Sequence, residues 1–378
     1  MTKLLRMAMV GGGPGSFIGP VHRMAAELDG RIKLVAGAFS SNAEKSREAG
    51  AGYGIEPGRS YSDYQTLFAE ERKRKDGIDM VAIVTPNHLH LPIALAAFEA
   101  GIPVISDKPA TATLAEALVL RDAVRKSKSL YALTYTYTGF QMVREARAMI
   151  ARGDLGAVRK VVVDYPQGWL SEPIERSGSK QAEWRADPAR AGSGGCIGDI
   201  GVHAFNLAEY VSGVRVKEIV ADLPHVVPGR ALDDDCNVLM RFEGGQPGVL
   251  IASQISAGER NGVTVRVYCE RGGLRWTHEN PSVLTLEHPD GRTEILYAGR
   301  AGLAGSARLP IGHLEGFIEA FANIYQDFAA AITGNAKLIG DVLPGIEAGV
   351  RGMQFVERAI ENSRRHAGWT TLEDEVSA

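Results

Sequence analysis

The sequence predicts a two-domain α/β protein: an N-terminal doubly wound parallel sheet, then an α+β domain with a large, open, mainly antiparallel sheet. Apolar strand-like segments alternate with helical segments over residues 1–135, which is typical of a parallel sheet covered by helices. Strand-like segments with short connections dominate residues 136–378, which end in two long amphipathic helical segments. The length of 378 residues also exceeds what one ordinary core accommodates.

In the first domain, short apolar segments are separated by helical ones. Because helical crossovers make such strands parallel, their carboxyl ends meet at one edge of the sheet, where ligands bind. Strands are expected at residues 4–10, 32–39, 79–84, 104–106 and 130–134, and helices at 19–28, from about 42, at 91–100 and at 114–124.

The second domain is expected to form mainly from strands, because its apolar segments follow one another with few helical interruptions. A helix is expected from about residue 200 to 210. Strands are expected at 158–165, 216–221, 236–242, 249–255, 263–269 and 283–286, and two long helices at 312–333 and 343–366.

Composition and charge exclude several classes of protein. The net charge of −3 and the lack of a basic stripe argue against a nucleic-acid partner. No apolar run approaches the roughly 18 residues that span a bilayer, so no membrane association is expected. The N-terminus lacks a secretory signal pattern and the three cysteines are odd in number and far apart, so we expect a cytoplasmic protein without a zinc site.

A glycine-rich turn, Gly11 to Gly19, follows the first predicted strand and precedes the first predicted helix. Glycines in this context make a tight turn, bring the backbone close to a pyrophosphate and aim a helix N-terminus at its charge. The spacing departs from G-x-G-x-x-G, since Ser16 stands at the third position; a plain glycine-rich turn is the alternative. The cofactor-binding candidates in this turn are Gly11, Gly13, Gly15, Ser16, Phe17 and Ile18.

The end of the second predicted strand bears on the choice between NAD and NADP. An acidic residue that would hold the ribose 2′-hydroxyl of NAD is missing there. Ser40 and Ser41 can bond either a hydroxyl or a phosphate, and Lys45 is a nearby cation, although such a lysine is usually only solvated. The sequence therefore predicts NAD or NADP and leaves the choice open.

Two further motifs follow predicted strands. Thr85, Pro86, Asn87 and His88 come after the third strand, where they are expected to meet a nicotinamide ribose or simply to cap the next helix. A metal pair of His88 with His90 lacks a clear third ligand, so no metal is expected.

Asp107, Lys108 and Pro109 end the fourth predicted strand. A lysine before proline is restricted towards an extended conformation, which directs its amine into the crevice at the strand ends. A desolvated lysine amine has a lowered pKa suited to proton transfer, whereas a surface lysine in a turn is the alternative.

An acid and an imidazole stand four residues apart at Asp199 and His203, among small residues. On a helix this spacing puts both on one face, and a histidine beside a carboxylate exchanges protons near neutral pH. A structural hydrogen bond is the more common use of such a pair, so the assignment depends on the other motifs.

Taken together, these motifs resemble the Gfo/Idh/MocA family, and the resemblance covers essentially the whole chain. It implies an N-terminal Rossmann domain, a substrate-binding and oligomerisation domain, and a homodimer or homotetramer formed through the C-terminal sheet. It also implies Lys108 as the catalytic lysine, Asp199 as the substrate-site acid and His203 as the general acid/base. Asp107 stands where the family has glutamate, which shortens the carboxylate arm towards the cofactor ribose.

The activity implied is oxidation of a secondary hydroxyl of an inositol or hexopyranose to a ketone or lactone, with NAD or NADP as hydride acceptor. The alternatives are an NAD-dependent glycosidase, which oxidises its sugar transiently, and a non-catalytic cofactor-sensing regulatory protein of the same fold. A metal hydrolase using Asp199 and His203 lacks a third ligand. Besides Lys108, Asp199 and His203, the substrate-binding candidates are Gln167, Trp169, Arg176, Trp184 and His313.

Overall fold

A computed structural model describes residues 3–178, 180–185, 187–192 and 194–372. The chain forms two compact units. The first unit comprises Met1–Thr136 and Phe317–Val350, and the second comprises Tyr137–Gly316 and Arg351–Ala378. The predicted division into a cofactor-binding domain, 1–135, and a substrate-binding domain, 136–378, remains a prediction. The first compact unit differs from the predicted first domain chiefly because it also contains Phe317–Val350.

The first unit is built on a parallel sheet. Its strand order is β2-β1-β3-β4-β5, with every neighbouring pair parallel. The order reverses between β1 and β3, which is where ligands bind in doubly wound sheets. The predicted parallel sheet is confirmed. The strands are β1 (Leu5–Gly11), β2 (Ile32–Ala38), β3 (Met80–Val84), β4 (Val104–Ser106) and β5 (Tyr131–Leu133).

Helices connect these strands, and several of them start at side-chain caps. Asn42 accepts a hydrogen bond from the backbone of Lys45, and Thr113 forms a capping box with Glu116. The helices are α1 (Ile18–Glu27), α2 (Ala43–Gly52), α3 (Tyr64–Lys73), α4 (His90–Glu99) and α5 (Leu114–Ser127), with short 3₁₀ turns at Pro57–Arg59 and Asn87–Leu89.

The second unit contains a nine-stranded sheet in the order β13-β12-β11-β10-β6-β9-β8-β7-β14. β6 and β9 are parallel, and the other neighbouring pairs are antiparallel, which confirms the predicted mainly antiparallel sheet. The strands are β6 (Val158–Pro166), β7 (Val216–Asp222), β8 (Asp235–Phe242), β9 (Pro247–Ser253), β10 (Thr264–Cys269), β11 (Gly272–Thr277), β12 (Val283–Glu287), β13 (Thr293–Tyr297) and β14 (Thr370–Thr371).

Helices of the second unit contact one face of this sheet. The segment before α9 is a π-helical turn, Ile197–Gly201, in place of the regular α-helix that the sequence predicts to begin near residue 200. Two 3₁₀ turns lie at Thr136–Gly139 and Ile174–Arg176. The helices are α6 (Gln141–Arg152), α7 (Lys180–Arg185), α8 (Pro188–Ala191) and α9 (Val202–Ser212).

The last helices are α10 (Phe317–Ile332), α11 (Leu338–Asp341) and α12 (Ile346–Arg365). The predicted start of α10 at residue 312 is wrong, because Gly312 has a left-handed φ of +89° that interrupts helical geometry. The inner face of α10 belongs to the core of the first unit through Phe321, Tyr325 and Phe328. Within the described part of the chain, no helix is both long and apolar enough to cross a membrane.

Candidate active site

The carboxyl ends of four neighbouring strands in the first unit bring the predicted cofactor motifs together. Gly11 of β1 is in register with the last residue of β3, directly before Thr85. β4 is paired between β3 and β5, so Asp107 and Thr134 follow on the same edge. The glycine turn, the Thr85 segment and the Asp107 segment thus form one continuous edge at the point where the strand order reverses.

The glycine turn requires its glycines. Gly11 has a φ of +95°, and a Cβ there would lie 2.5 Å from the Val84 carbonyl oxygen. A Cβ on Gly13 would lie 2.5 Å from the carbonyl oxygen of Phe39, at the end of β2. At the start of α1, Phe17 provides no side-chain cap, and Ser16 Oγ accepts from the Gly19 N–H alone, so the helix N-terminus has further backbone donors for an anion. The glycine turn and the N-terminus of α1 therefore fit the pyrophosphate of a dinucleotide.

We expect Gly13→Ala to raise the dissociation constant for NAD about tenfold or more, because its methyl group would displace the backbone at the end of β2. Titration by intrinsic fluorescence measures this effect. Gly52→Ala is the matched control, since a Cβ there meets nothing within 4 Å. Unchanged affinity in Gly13→Ala would contradict the assignment of this turn.

The other glycine-turn candidates and the β2 end differ in exposure. Ser16 is half-buried and its hydroxyl accepts a hydrogen bond from the Gly19 backbone at 3.2 Å. Ser40 accepts one from the Asn42 backbone at 3.2 Å, and its hydroxyl keeps a donor for a ligand. Gly15, Phe17, Ser41 and Lys45 are exposed, and Ile18 is half-buried.

The segment after β3 combines a buried side chain with an exposed one. Asn87 is buried and His88 is exposed. Thr85 Oγ1 is buried and has no hydrogen-bond partner among the described residues, so it is available to a ligand. The ring nitrogens of His90 lie 2.9 Å from the carbonyl oxygens of Thr85 and Pro109. His90 therefore links two strand ends, and the described residues contain no group of three metal-binding side chains.

Asp107 has one carboxylate oxygen held by the protein. Its Oδ1 accepts hydrogen bonds from the Lys108 backbone N–H at 2.8 Å and from Thr134 Oγ1 at 3.1 Å. Lys108 is half-buried, and its peptide bond to Pro109 is cis. The carboxylate and the lysine ammonium thus leave the same strand end from consecutive positions.

In the second unit, Asp199 lies in the π-helical turn and His203 in the first turn of α9. A spacing of four residues puts both side chains on one face of a regular α-helix, whereas a π turn changes their relative rotation. Asp199 Oδ2 accepts hydrogen bonds from Arg185 Nε at 3.1 Å and Gln254 Nε2 at 2.9 Å. The buried Asp233 carboxylate binds two backbone N–H groups at the start of this segment, at 2.7 Å each. The π turn is thus anchored from outside its own helix.

The imidazole of His203 is half-buried against two tyrosines. Its ring centroid lies 5.1 Å from that of Tyr137, at an interplanar angle of 76°, and 6.3 Å from that of Tyr165. Burial raises the pKa of Tyr137 to about 12, so its hydroxyl stays protonated. The two tyrosines give the imidazole an aromatic wall, edge-to-face at Tyr137 and tilted by 59° at Tyr165.

The hydroxyls of these tyrosines close a ring of hydrogen bonds with Asn261. Tyr165 donates to Asn261 Oδ1 at 2.7 Å, and Asn261 Nδ2 donates to Tyr137 Oη at 3.1 Å. Because the only hydroxyl proton of Tyr165 is used in this way, Tyr137 donates to Tyr165 Oη and completes the ring. Each tyrosine hydroxyl donates one hydrogen bond within the ring, and Tyr165 Oη also accepts one from Gln167 Nε2 at 3.4 Å, so both hydroxyls beside His203 are held in place.

The remaining substrate-binding candidates fall into two groups. Trp169 Nε1 donates to Gln167 Oε1 at 3.0 Å and Gln167 Nε2 donates to Asn261 Oδ1 at 2.7 Å, so both extend the ring. Exposed Arg176 donates to the Pro228 carbonyl at 2.9 Å, and exposed His313 has Nδ1 3.2 Å from the Pro310 carbonyl oxygen. The side chain of Trp184 lies outside the described part of the chain.

Five residues around Asp199 and His203 are not among the candidates from sequence: Tyr137, Tyr165, Arg185, Gln254 and Asn261. Arg185 directly follows the sequence candidate Trp184, and this adjacency is the signal that could have pointed to it. Tyr137 and Asn261 are 124 positions apart, so no local pattern connects them.

Comparisons with known proteins agree with this geometry. The model of an oxidoreductase family with an NAD-binding Rossmann fold matches residues 5–135, and the model of the GFO/IDH/MocA C-terminal domain matches residues 143–275. The chain belongs to the Gfo/Idh/MocA family. It is therefore an oxidoreductase that uses a nicotinamide dinucleotide, as the resemblance predicts.

Relatives within the Gfo/Idh/MocA family extend over nearly the whole chain. An uncharacterized oxidoreductase of Bacillus subtilis is 35% identical, over 98% of this chain and 97% of its own. An inositol dehydrogenase homologue of Azotobacter vinelandii, solved with NAD⁺, is 38% identical with a TM-score of 0.93, covering 98% of both chains. An inositol dehydrogenase homologue of Azotobacter vinelandii solved with NADH and myo-inositol is 37% identical, with a TM-score of 0.89, covering 98% of both chains. Levoglucosan dehydrogenase of Pseudarthrobacter phenanthrenivorans is 26% identical, over 97% of this chain and 98% of its own.

Proposed function

We propose that this protein is a dehydrogenase that oxidises a secondary hydroxyl of a cyclic polyol or sugar, an inositol or a hexopyranose, to a ketone or lactone. The observation that carries the proposal is the half-buried His203, held against a fixed tyrosine wall one turn from the anchored Asp199. The relatives solved or named with myo-inositol and levoglucosan act as further support, since both compounds are cyclic polyols.

The proposed roles follow from the chemistry of the side chains. His203 accepts the hydroxyl proton as the general base, and Lys108 donates a hydrogen bond to the same oxygen and stabilises its developing negative charge. Asp199, whose Oδ2 accepts hydrogen bonds from Arg185 and Gln254, orients the substrate. The bound nicotinamide dinucleotide supplies the hydride acceptor.

The proposed cofactor contacts lie along the strand-end edge. The glycine turn receives the pyrophosphate, while Thr85, Asn87, His88 and Asp107 receive the nicotinamide half. Pro86, between Thr85 and Asn87, ends the strand. Ser40, Ser41 and Lys45 suit either a 2′-hydroxyl or a 2′-phosphate, so NAD and NADP both remain candidates.

The other substrate-binding candidates divide into residues that position Asn261 and residues that contact the substrate directly. We propose that Gln167 and Trp169 act mainly through Asn261, because the hydrogen bonds described above occupy the amide oxygen of Gln167 and the indole N–H of Trp169. Arg176, Trp184 and His313 stay proposed substrate contacts, on the strength of the family resemblance.

A substrate panel tests the proposal. Inositol stereoisomers, aldoses and levoglucosan are each assayed with NAD and with NADP, following absorbance of the reduced nicotinamide. We expect accumulation of reduced cofactor with at least one cyclic polyol. Release of aglycone from a glycoside without net reduction would favour the glycosidase, and cofactor binding without turnover of any compound would favour the regulatory protein.

The exposed face of the nine-stranded sheet supports a second proposal, a homodimer or homotetramer formed through this sheet. Leu239, Ile251 and Tyr268 are 50%, 38% and 45% exposed on it. Leu239 pairs with Val249, which pairs with Val162, so three neighbouring strands place apolar side chains side by side. Such a patch on a sheet face is typical of an interface.

Leu239→Glu is expected to raise the dissociation constant of the dimer by about 100-fold or more, since a two-fold interface would bury the added charge twice. Sedimentation equilibrium measures this change. Val226→Glu is the matched control, because Val226 is 56% exposed on a loop of the same unit. A Leu239→Glu variant that associates as the wild type does would contradict this interface.

A further inference from the structure

The first unit contains a fully buried histidine to which the proposed mechanism gives no function. His22 lies on α1, with its ring packed edge-on against Phe321 at a centroid distance of 4.7 Å and against Tyr325 at 5.9 Å. Its Nδ1 is 2.7 Å from Tyr325 Oη. Its Nε2 is 4.0 Å from Asp107 Oδ2 and has no hydrogen-bond partner among the described residues.

The protonation state of this pair follows from burial. Burial lowers the pKa of His22 to about 4, against the opposing effect of Asp107, so the imidazole is neutral near pH 7. Burial also raises the pKa of Tyr325 well above its ordinary value, so its hydroxyl keeps its proton. A neutral imidazole carries one N–H, and its position decides what Asp107 faces.

Electrostatics select one tautomer. With the proton on Nδ1, the lone pair of Nε2 would point towards the Asp107 carboxylate, which is unfavourable. With Tyr325 donating to Nδ1, the proton is on Nε2 and its positive end points towards Asp107 Oδ2. The hydroxyl of Tyr325 therefore fixes the ring, and the ring presents a donor to the carboxylate oxygen that Lys108 and Thr134 leave open.

We propose that His22 is a positioning residue for Asp107, with Tyr325 fixing its tautomer, so that Asp107 Oδ2 is oriented to accept hydrogen bonds from the nicotinamide ribose. This inference rests on the proposed contact between Asp107 and the cofactor. The geometry points to it because Asp107 Oδ1 is held by the Lys108 backbone N–H and by Thr134 Oγ1, while Oδ2 lies 4.0 Å from the buried Nε2 of His22.

Binding of cofactor fragments tests this role. The protein is titrated with NAD, with ADP-ribose, which keeps both riboses, and with AMP, which lacks the second ribose. We expect His22→Phe, which keeps an aromatic ring but removes both nitrogens, to weaken NAD and ADP-ribose about tenfold and AMP less than twofold. Tyr325→Phe, which removes only the hydroxyl, is expected to weaken NAD about threefold, again sparing AMP.

Rescue and control variants separate positioning from packing. His22→Gln, which restores an amide N–H donor, is expected to recover most of the NAD affinity lost in His22→Phe. Tyr61→Phe is the control, because it removes a half-buried hydroxyl that donates to Glu71 elsewhere in the same unit. This variant should bind all three ligands as the wild type does. Equal weakening of AMP and NAD in both His22→Phe and Tyr325→Phe, or unchanged NAD affinity in both, would overturn the inference.

Asp107→Asn distinguishes failure of this inference from failure of the proposed cofactor contact. If Asp107→Asn weakens NAD but not AMP while the His22 and Tyr325 variants bind normally, the contact stands and the positioning role is overturned. If Asp107→Asn also leaves NAD affinity unchanged, the contact with the ribose fails, and the inference fails with it.

Discussion

His203→Ala is expected to lower kcat by about 10²–10⁴-fold, with the dissociation constant for NAD unchanged within about twofold. The loss follows because no other group in the proposal accepts the hydroxyl proton. Stopped-flow absorbance of the reduced nicotinamide measures hydride transfer directly, and fluorescence titration measures cofactor binding in the same variant.

Lys108→Ala tests the other half of the same mechanism. We expect a loss of about 10²–10³-fold in kcat, because the developing oxyanion would lose a charged donor. His288→Ala is the matched control for His203→Ala. His288 belongs to the β12–β13 hairpin, where its Nε2 lies 3.6 Å from Glu294, and it has no role in the proposed mechanism. Near-wild-type turnover in both His203→Ala and Lys108→Ala would contradict the proposed dehydrogenase mechanism.

The second large effect is expected on stability, at a buried arginine in the second unit. Arg230 donates to Asp234 at 3.2 Å, to Glu175 at 3.1 Å and to the Leu170 carbonyl at 2.9 Å, and the Arg230 and Asp234 side chains are 3% and 0% exposed. It thereby ties the segment that carries Arg176 to the loop before β8. Arg230→Ala leaves a buried carboxylate without its cation, which costs about 3–5 kcal/mol.

Thermal unfolding followed by circular dichroism measures the cost. A loss of this size in a domain of about 200 residues lowers Tm by roughly 6–20 °C. Arg292→Ala is the control, because its ion pair with Asp290 is exposed at both ends and contributes at most about 1 kcal/mol. Equal shifts in the two variants would contradict a special role for the buried pair.

Local pattern explains which elements of the fold were predictable. β1 and β3 are apolar runs that end in glycine or before proline, and α5 begins at a capping box, so each carries its own signal. The sequence does not predict β11, because this strand begins with two glycines, which weaken strand patterning. The pattern places the start of α10 too early, because amphipathic spacing carries no information about the left-handed backbone at Gly312.

Some features of the candidate site are likewise predictable from local sequence, and others are not. Gly11, Thr85 and Asp107 follow predictable strands, and the parallel order of those strands dictates that they share an edge. Asp199 and His203 were found by their spacing, yet the π turn and the partners of Asp199 were not. A π turn depends on anchoring from outside, here by Asp233, so the segment's own sequence does not specify it.

The two-domain α/β architecture, the family and the strand-end motifs are predictable from the sequence, because they depend on periodicity and on residues close together in the chain. How the key side chains are held depends on the folded structure. The ring of Tyr137, Tyr165 and Asn261 beside His203, and the contact of His22 with Tyr325, join residues up to 303 positions apart. Such contacts form only when packing brings distant segments together and burial makes each hydrogen bond necessary, so no local pattern encodes them.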